Sequence, residues 1–556
     1  MADGAQARIH DALTHRGFVA DFSVPGRNRY VGVIDRGSLD VPVWVDVTDL
    51  DFVDLPVIGV DQTFRLPRSL PHLGPNREIC YFAKGTVVPD RYDPGGAMLM
   101  CLDRAEKVLR DAIRGRSNAD FADEFGAYWH ATPMLLDLPE GYVGPATAYF
   151  IVLGGENSMT RVLALKSTWA LKMHKGPQNV IRVTEPALVV ATNRPLTLDP
   201  SGPWPPMDLA GLNRWLEYTA PEHVGVLERF MGSISGKSAI LAISTSNGTY
   251  GCGIKVPKPF CTTEFLTTRR VSLPGLLKKH AASIIIERYA FEEASLSYIY
   301  GRNMGSRMNL TGKKILLIGC GTIGSFLAQQ LAQSGAGAGA GYLTLADPDT
   351  LKTANLGRHL LGVPYLDRNK AEACAEFLNA QLPSLAIEAH ASDARKMRTP
   401  LSAFDIVIDA TGEEALSLAL NARAVGRRPQ SPPHVFVWLL GNGAAAQAIL
   451  TGEADKACLK CLKPALHGEP RFRVLRDPGK MEIGSNLACS DPHYIPFPVS
   501  RSVVAAAMAC DLVLDWANGK PGHRLRNHIF DLKAAFQSAS TSPAPSKACP
   551  ECGGSA

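Results

Sequence analysis

The sequence lacks the features that mark membrane, secreted or nucleic-acid-binding proteins. Its longest alanine-rich stretch, Val503 to Leu514, is too short to span a bilayer and is interrupted by Asp511. The N-terminal residues carry charges throughout and contain no apolar signal-peptide core. A formal net charge of +5 is slight for 556 residues, and no dense basic run is present. We therefore expect a soluble cytoplasmic protein that binds neither membranes nor nucleic acid.

The twelve cysteines do not show the pattern of a disulfide framework. Four of them form two C-x-x-C pairs: Cys458 with Cys461, and Cys549 with Cys552. Four thiolates are the soft, tetrahedral ligand set of a structural Zn²⁺ site, and free thiols fit a reducing compartment. The alternative, two redox dithiols, would need a thioredoxin-like context that the sequence does not contain. The pattern predicts structural zinc and leaves none of the four as a nucleophile.

The chain does contain a strand, a glycine-rich turn and a helix in succession. The apolar run Ile315 to Ile318 leads into three glycines: Gly319, Gly321 and Gly324. Such glycines let the backbone approach a phosphate, and the free N–H groups of the following helix bind the anion. A second strand, Tyr342 to Ala346, ends at Asp347, whose carboxylate can reach ribose hydroxyls. Alone, this pattern predicts a nucleotide site with dehydrogenases as the default class.

The residues that follow Asp347 favour adenylation instead. They are Asp349, Asn355, Arg358 and Lys370. Nicotinamide chemistry needs no clamp on a leaving group. Attack of a carboxylate on the α-phosphate of ATP needs such a clamp, because negative charge accumulates on the departing pyrophosphate. Arg358 and Lys370 can neutralise that charge. The alternative for either cation is a solvated surface position.

In order and near-spacing, these residues resemble the ubiquitin-activating enzymes and the bacterial enzymes that adenylate the sulfur carriers of thiamine and molybdopterin synthesis. The resemblance implies a doubly wound, Rossmann-like α/β adenylation domain over residues 306–556, with ATP and Mg²⁺ as cofactors. It also implies that a basic residue, Arg302 or Arg307, reaches the nucleotide across a homodimer, with surface solvation as the alternative. Long-range pairing of two zinc knuckles is a property of the same family.

A third strand, Phe404 to Ile408, ends at Asp409. A carboxylate at the carboxyl end of a parallel strand points into the ligand crevice of a doubly wound sheet, so Asp409 is a candidate for the magnesium and phosphate site. The alternative is a turn-capping role. The sequence departs from the resembled family here, because Gly412 stands where that family often has a second aspartate as metal ligand.

Residues 1–155 predict an α+β domain with an amphipathic helix, a strand meander, a loop holding Cys80 and a helix over about 94–114. This order resembles ubiquitin-conjugating enzymes, whose acceptor cysteine follows a histidine-containing loop. His72 stands in that loop, although the His-Pro-Asn signature is absent and Asn76 occupies a different position from its asparagine. The alternative for Cys80 is a small buried hydrophobe. Cys101, within a helical apolar pattern, is expected in the core.

Cys489 lies in a polar, proline-containing loop after the first C-x-x-C pair, with His493 close in sequence. The resembled activating enzymes place their thioester-forming cysteine, when they have one, in this crossover loop. The alternative is a structural cysteine, as in sulfur-carrier adenylators that form no thioester. Residues 156–305 predict a mixed α/β linking domain whose last helix spans about 283–300.

The assembled chain resembles the bacterial fusions of conjugating and activating enzymes in CBASS antiphage operons. The resemblance implies ATP-dependent activation of a partner protein's C-terminus, either the operon's cyclic-oligonucleotide synthase or a ubiquitin-like protein. A thioester relay through Cys489 and Cys80 and conjugation to a target lysine would follow, with the enzyme a homodimer. Two alternatives remain: a sulfur-carrier adenylyltransferase without conjugation, and a non-catalytic nucleotide-binding scaffold.

Overall fold

The computed structural model forms two compact units, residues 1–294 and 295–556, which are described separately. It describes residues 2–35, 38–66, 70–74, 76–83, 85–152, 159–165, 180–199, 202–233, 238–382, 384–465, 468–484 and 494–553. Within these ranges, no helix combines the length and apolar character needed to cross a membrane.

The first part of the N-terminal unit packs two helices and a four-stranded antiparallel sheet, in the order β1-β2-β3-β4, around one core. Its elements are α1 (Ala2–His15), β1 (Val19–Asp21), β2 (Arg29–Ile34), β3 (Val41–Asp46), β4 (Val57–Val60) and α2 (Pro94–Ile113). Alternate residues of β3, Val43 and Val45, face this core and pack with Leu102 of α2. Asp93 fixes the start of α2 by accepting a hydrogen bond from the backbone N–H of Gly96. Cys101 is fully buried in the same core, as predicted.

The rest of this unit is a closed seven-stranded barrel with helices packed on its strands, in the strand order β10-β11-β5-β7-β6-β8-β9. Its elements are α3 (Asp120–Asp123), α4 (Phe125–Trp129), β5 (Thr132–Asp137), β6 (Gly144–Val152), β7 (Met159–Ala164), β8 (Val180–Ala191), α5 (Leu209–Thr219), α6 (Val224–Ser233), β9 (Ser238–Thr245), β10 (Gly248–Lys255), α7 (Thr263–Arg269), α8 (Leu273–Lys279) and β11 (Ile286–Glu293). Short 3₁₀ turns occupy Pro221–His223, Lys258–Cys261 and Ala281–Ser283. Alternate residues of β9 divide between two cores. Ile240 packs with Met134 and Val189, whereas Leu241 packs under the helices with Trp215.

Strands on both sides of residue 155 belong to this barrel. β6 and β7 pair antiparallel, with Phe150 opposite Arg161, and β5 pairs in parallel with β7. The boundary predicted at residue 155 therefore falls between two paired strands.

The predicted helix over residues 283–300 is wrong. Residues 286–293 form β11, which pairs antiparallel with β10 and parallel with β5. The run Ile284 to Ile286 is β-branched, and such side chains lose rotamer freedom in a helix but pack well on a sheet. Only α9 (Leu296–Gly301), at the start of the second unit, is helical.

The second unit is built on a seven-stranded sheet in the order β14-β13-β12-β15-β16-β17-β18. Its further elements are β12 (Lys314–Ile318), α10 (Thr322–Gln333), β13 (Tyr342–Ala346), α11 (Lys370–Gln381), β14 (Ile387–His390), β15 (Ile406–Asp409), α12 (Glu414–Val425), β16 (His434–Leu440), β17 (Ala445–Thr451), α13 (Val499–Ala517) and β18 (Leu525–Ile529). Short 3₁₀ turns occupy Thr353–Asn355, Val363–Tyr365, Ala394–Lys396, Leu401–Ala403 and Leu459–Leu462. Neighbours from β14 through to β16 are parallel, whereas β17 pairs antiparallel with both β16 and β18.

Helices cover both faces of this sheet. Ile315 and Leu317 of β12 pack in a core that includes residues of α10, α11 and α13. Leu316 and Ile318, on the opposite face, pack in a second core with Leu420 of α12. Burial on both faces explains why β12 is a continuous apolar run without alternation. The arrangement confirms the Rossmann-like prediction and places a crevice at the carboxyl ends of β12, β13 and β15.

Candidate nucleotide, thiol and metal sites

The turn between β12 and α10 requires glycine at specific positions. Gly319 has a φ of +89°, and a Cβ there would stand 2.9 Å from the backbone nitrogen of Thr411. A Cβ on Gly324 would stand 1.8 Å from the carbonyl oxygen of Gly319, so this residue permits close packing of α10 behind the turn. Gly321 precedes the first residue of α10 and has open space beside it. The N-terminus of α10 is thus available to an anion.

A cavity of about 1090 Å³ lies at this turn. Seven predicted nucleotide-binding residues line it: Gly319, Gly321, Asp347, Asp349, Asn355, Arg358 and Lys370. The carboxyl ends of the parallel strands bring these residues together although they span about fifty positions in the chain. The volume is slightly above the range of roughly 300–1,000 Å³ for small-molecule pockets. The cavity is therefore large enough for a small-molecule ligand.

Asp347 lies at the end of β13 and is 6% exposed. Its Oδ2 accepts a hydrogen bond from the backbone N–H of Cys320 at 2.7 Å, and its Oδ1 accepts one from Asp349 at 2.8 Å. Burial raises the pKa of Asp347, while these two bonds and the charge of Lys370 act in the opposite direction. Each carboxylate oxygen has a second lone pair, so Asp347 can still accept a ribose hydroxyl.

The two predicted cations, Lys370 and Arg358, line the cavity but differ in their hydrogen-bond partners. The Nζ of Lys370 lies 3.0 Å from Oδ2 of Asp349, and Lys370 is 8% exposed. The Nε of Arg358 is buried and has no hydrogen-bond partner among the described residues. A buried guanidinium N–H without a partner is costly, and an anionic ligand in the cavity would satisfy it. Asn355 uses its Oδ1 to accept a bond from the backbone N–H of Lys352 and also lines the cavity.

Asp409 is 2% exposed and does not line the cavity. Its Oδ1 accepts bonds from the backbone N–H and the hydroxyl of Thr411, and its Oδ2 accepts a bond from the hydroxyl of Ser417 at 2.6 Å. Burial raises the pKa of Asp409. This geometry is that of the turn-capping alternative. Gly412 lines the cavity without offering a side chain, so Asp409 in this arrangement does not fit a direct Mg²⁺ ligand.

Part of the cavity lining is apolar. The β16–β17 hairpin and the segments around residues 472–475 and 495–497 contribute its walls. These include Phe436, Trp438, Leu440, Phe472, Leu475, Ile495 and Phe497. A pocket lined by both polar groups and aromatic side chains can hold two chemically different groups side by side.

Cys80 is exposed at the end of a small antiparallel arm of the N-terminal unit, residues 72–74 and 76–80, in which Leu73 pairs with Ile79. Its backbone N–H donates to the carbonyl of His72 at 2.8 Å. The surrounding protein desolvates the thiol and raises the pKa of Cys80, and the negative charge of Glu124 raises it further. The His72 ring lies between two carboxylates, with Nδ1 2.6 Å from Glu124 and Nε2 2.8 Å from Asp120. Asn76, on the same arm, is exposed.

Two predicted residues belong to the segment 485–493, which lies outside the described residues: Cys489 and His493. The chain on either side of the segment is joined. Gly484 and Tyr494 exchange two backbone hydrogen bonds, at 2.8 and 3.0 Å. The side chain of Asn442 donates to the carbonyls of Glu482 and Pro496 at 2.9 and 3.1 Å. The base of the predicted crossover loop is therefore tied to the β16–β17 hairpin, which walls the cavity.

The four cysteines of the two C-x-x-C pairs meet in one buried cluster, with ligand atoms within 4.8 Å of one another. The Sγ of Cys458 lies 3.8 Å from that of Cys461 and 3.7 Å from that of Cys549. The Sγ atoms of Cys461 and Cys552 are 3.2 Å apart. Tetrahedral Zn–S bonds of about 2.3 Å place the sulfurs roughly 3.8 Å apart, so the donor set and spacing are compatible with Zn²⁺.

We expect Cys549→Ser to remove bound zinc and to destabilise the second unit. Structural zinc contributes a binding free energy of roughly 10–16 kcal/mol, and the cluster joins segments that lie far apart in sequence. Metal analysis by mass spectrometry and thermal unfolding measure both effects. Cys510→Ser is the matched control, because Cys510 is a buried thiol outside the cluster. Stoichiometric zinc in the Cys549 variant would contradict this assignment.

Sequence patterns did not predict several residues of these sites. Asp120 and Glu124 reach His72 from α3 and the start of α4, and no local pattern connects them. Asn442 has a φ of +50°, a conformation that asparagine tolerates, but its partners are distant in sequence.

Of the two arginines considered for nucleotide contact, Arg307 pairs with Asp515 and Arg302 lies over the ring of Tyr298.

Two protein families match separate parts of the chain. The ThiF family matches residues 300–553, which include the glycine turn, the cavity and the cysteine cluster. Prokaryotic E2 family B matches residues 27–134, which include Cys80 and its histidine–carboxylate surroundings.

Two curated relatives match the chain over nearly its whole length. The ATP-dependent ubiquitin transferase-like protein Cap2 of Pseudomonas aeruginosa (strain BWHPSA011 / Pa011) is 33% identical over 520 residues, covering 91% of this chain and 90% of that protein. The protein of the same name from Escherichia coli (strain TW11681) is 23% identical over 557 residues, covering 92% and 91%. Among solved structures, E. coli MccB with MccA-N7isoASN matches with a TM-score of 0.36 and 20% identity, over 47% of this chain and 75% of that one.

Proposed function

The chain belongs to the Cap2 family of ATP-dependent ubiquitin transferase-like proteins, with an E2 domain fused to a ThiF adenylation domain, and we propose that it conjugates the C-terminus of a partner protein to a lysine. It is an ATP-dependent ubiquitin-like transferase that combines E1-like adenylation with E2-like conjugation. The observation that carries the proposal is the cavity. The glycine turn, Asp347, Lys370 and Arg358 line one cavity, and the Nε of Arg358 has no partner among the described residues.

In the proposed adenylation step, a carboxylate oxygen of the partner's C-terminus attacks the α-phosphorus of ATP. A new O–P bond forms, the bond to the bridging oxygen of the β-phosphate breaks, and pyrophosphate leaves. Arg358 and Lys370 neutralise the charge that accumulates on the leaving group, because both cations already face the cavity. Asp347 accepts the ribose hydroxyls. Asn355 and Asp349 complete the nucleotide site, with Asp349 also orienting Lys370.

The apolar part of the cavity is the proposed path of the partner's C-terminal residues. Trp438, Leu440 and Phe497 line it. An extended chain with apolar side chains would lie there and present its carboxylate towards the α-phosphate. Burial of such side chains contributes roughly 1.5–3 kcal/mol each, which is enough to favour one terminus over another.

The proposed relay has three acyl transfers after adenylation. The Cys489 thiolate attacks the acyl carbonyl, a C–S bond forms, and AMP leaves. The Cys80 thiolate then displaces the Cys489 thiolate by thioester exchange. Finally, a deprotonated lysine amine attacks, an amide C–N bond forms, and the Cys80 thiolate leaves. The exposure of Cys80 and the tie between the Cys489 loop base and the cavity wall support this order.

We propose that the chain acts as three parts: a conjugating-like part, a linking part and an adenylation part. The paired strands on both sides of residue 155 favour a linking part that starts near α3 rather than at 156. The two thiols belong to different units, so they must meet either within a chain or across a homodimer. The proposed partner is a CBASS cyclic-oligonucleotide synthase, with a ubiquitin-like protein as the alternative, and structural zinc at the cysteine cluster completes the proposal.

The nucleotide products test this proposal. With ATP labelled in its α-phosphate, enzyme and partner together should release AMP, and pyrophosphate should appear in equal amount. Adenylation predicts these products because the α–β phosphate bond is the one that breaks. Release of ADP and phosphate would overturn the proposal.

A further inference from the structure

The middle peptide of the glycine turn is held from two sides. The backbone N–H of Cys320 donates to Asp347 at 2.7 Å, and its carbonyl oxygen lies 2.7 Å from Nε2 of His359. Cys320 stands between Gly319 and Gly321, both of which line the cavity. The orientation of the turn therefore depends on one predicted nucleotide ligand and on one histidine to which the proposed function assigns no role.

The contacts of His359 define its protonation state. The residue is 8% exposed, and its Nδ1 accepts a hydrogen bond from the backbone N–H of Leu361 at 3.0 Å. A carbonyl oxygen can only accept and a peptide N–H can only donate, so both bonds exist together only when the ring is neutral and carries its proton on Nε2. Burial lowers the pKa of His359 and Lys370 lowers it further, while the bond to Cys320 and the charge of Asp347 oppose them.

His359 also fixes the segment that carries Arg358. Arg358 lines the cavity and His359, the next residue, is buried behind it against the glycine turn. The backbone N–H of Leu360 adds a third link, a 3.3 Å bond to the hydroxyl of Ser325 on α10. Two walls of the cavity, the turn and the arginine segment, are thus joined through this imidazole.

We propose that His359 is a positioning residue for adenylation, which as a neutral imidazole sets the glycine turn and the Arg358 guanidinium at the spacing that ATP requires. It touches neither ATP nor the carboxylate. The kinetic part of this inference rests on the proposed function, whereas its effect on nucleotide affinity does not. A histidine that merely filled the core would affect folding stability and leave the use of ATP unchanged.

Two amide substitutions separate the two bonds of His359. The amide of glutamine ends near the position of Nε2 and can donate to the Cys320 carbonyl. The amide of asparagine ends near the position of Nδ1, where it can only accept from the backbone N–H of Leu361. We expect His359→Gln to keep the kcat/KM of ATP–pyrophosphate exchange within about threefold of wild type. We expect His359→Asn and His359→Ala to lower it by about tenfold or more, because a buried carbonyl loses its partner. KM for ATP should rise as the glycine turn shifts, and kcat should fall as Arg358 shifts with it.

For each variant, calorimetric titration measures the affinity for ATP, and thermal unfolding measures the stability. His434→Asn is the matched control, because His434 is also buried and bonds a backbone carbonyl, but that carbonyl belongs to Pro432 and not to the glycine turn. The control should change the unfolding midpoint without raising KM for ATP. Equal impairment of the glutamine and asparagine variants would overturn the proposal, as would wild-type kinetics in folded His359→Ala. A wild type without exchange would refute adenylation, and the ATP affinities would still decide the role of His359.

Discussion

Arg358→Ala should lower ATP–pyrophosphate exchange by about a thousandfold or more, a factor typical of a cation that neutralises charge on a transferring phosphoryl group. Arg358 lines the cavity, and its buried Nε has no partner among the described residues, so its charge is available to the leaving pyrophosphate. The affinity for ATP should fall by much less, because the charge develops mainly in the transition state. Exchange kinetics and calorimetric ATP titration measure the two effects separately.

A second arginine in the same cavity provides the control. Arg395 also lines the cavity, but its Nε lies 2.9 Å from Asp393, so it has a partner that the Nε of Arg358 lacks among the described residues. Arg395→Ala should retain exchange within about tenfold of wild type. Arg358→Lys should recover only part of the loss, since lysine lacks the planar fork of guanidinium. Near-normal exchange in Arg358→Ala, or an equal loss in Arg395→Ala, would contradict the assigned role.

The second large effect concerns the two thiols. With ATP and the partner protein, Cys489→Ala should form no thiol-sensitive adduct, while Cys80→Ala should accumulate the adduct on Cys489 and form no lysine conjugates. Loss should be essentially complete in each case, because the substituted residue carries the acyl group itself. Non-reducing gels, run with and without added thiol, distinguish the thioester from the amide.

Serine substitution of Cys80 tests the order in which the two residues carry the acyl group. Cys80→Ser offers a hydroxyl in place of the exposed thiol, so an acyl group that reaches it should remain as an ester that thiols do not cleave. An ester in the Cys80→Ser variant that forms only when Cys489 is present would establish the order of the relay. Normal conjugation by both alanine variants would refute the relay.

Local sequence patterns were sufficient for the glycine turn and its strands. The apolar runs at β12 and β13 predict buried parallel strands, and the topology of such a sheet brings Asp347, Arg358 and Lys370 to one crevice. The two C-x-x-C pairs likewise meet in one cluster. In each case, the chemistry is carried by residues whose spacing reflects a local backbone requirement.

Local sequence patterns do not predict structure that depends on contacts between distant residues. Residues 286–293 form a strand because β10 and the distant β5 flank them, and helical spacing alone does not contain that information. Asp409 stands at the expected strand end, yet Thr411 and Ser417 occupy its oxygens. The carboxylates around His72 and the partner of His359 also come from distant positions, so only the folded chain shows them.

The central claim is that this cavity activates a protein C-terminal carboxylate. ATP–pyrophosphate exchange measured with the intact partner and with a partner whose terminal carboxylate is amidated tests it most directly. The proposed chemistry predicts exchange with the intact partner and none with the amidated one, because the amide offers no oxygen nucleophile. Equal exchange with both partners, or none with the intact one, would contradict the claim.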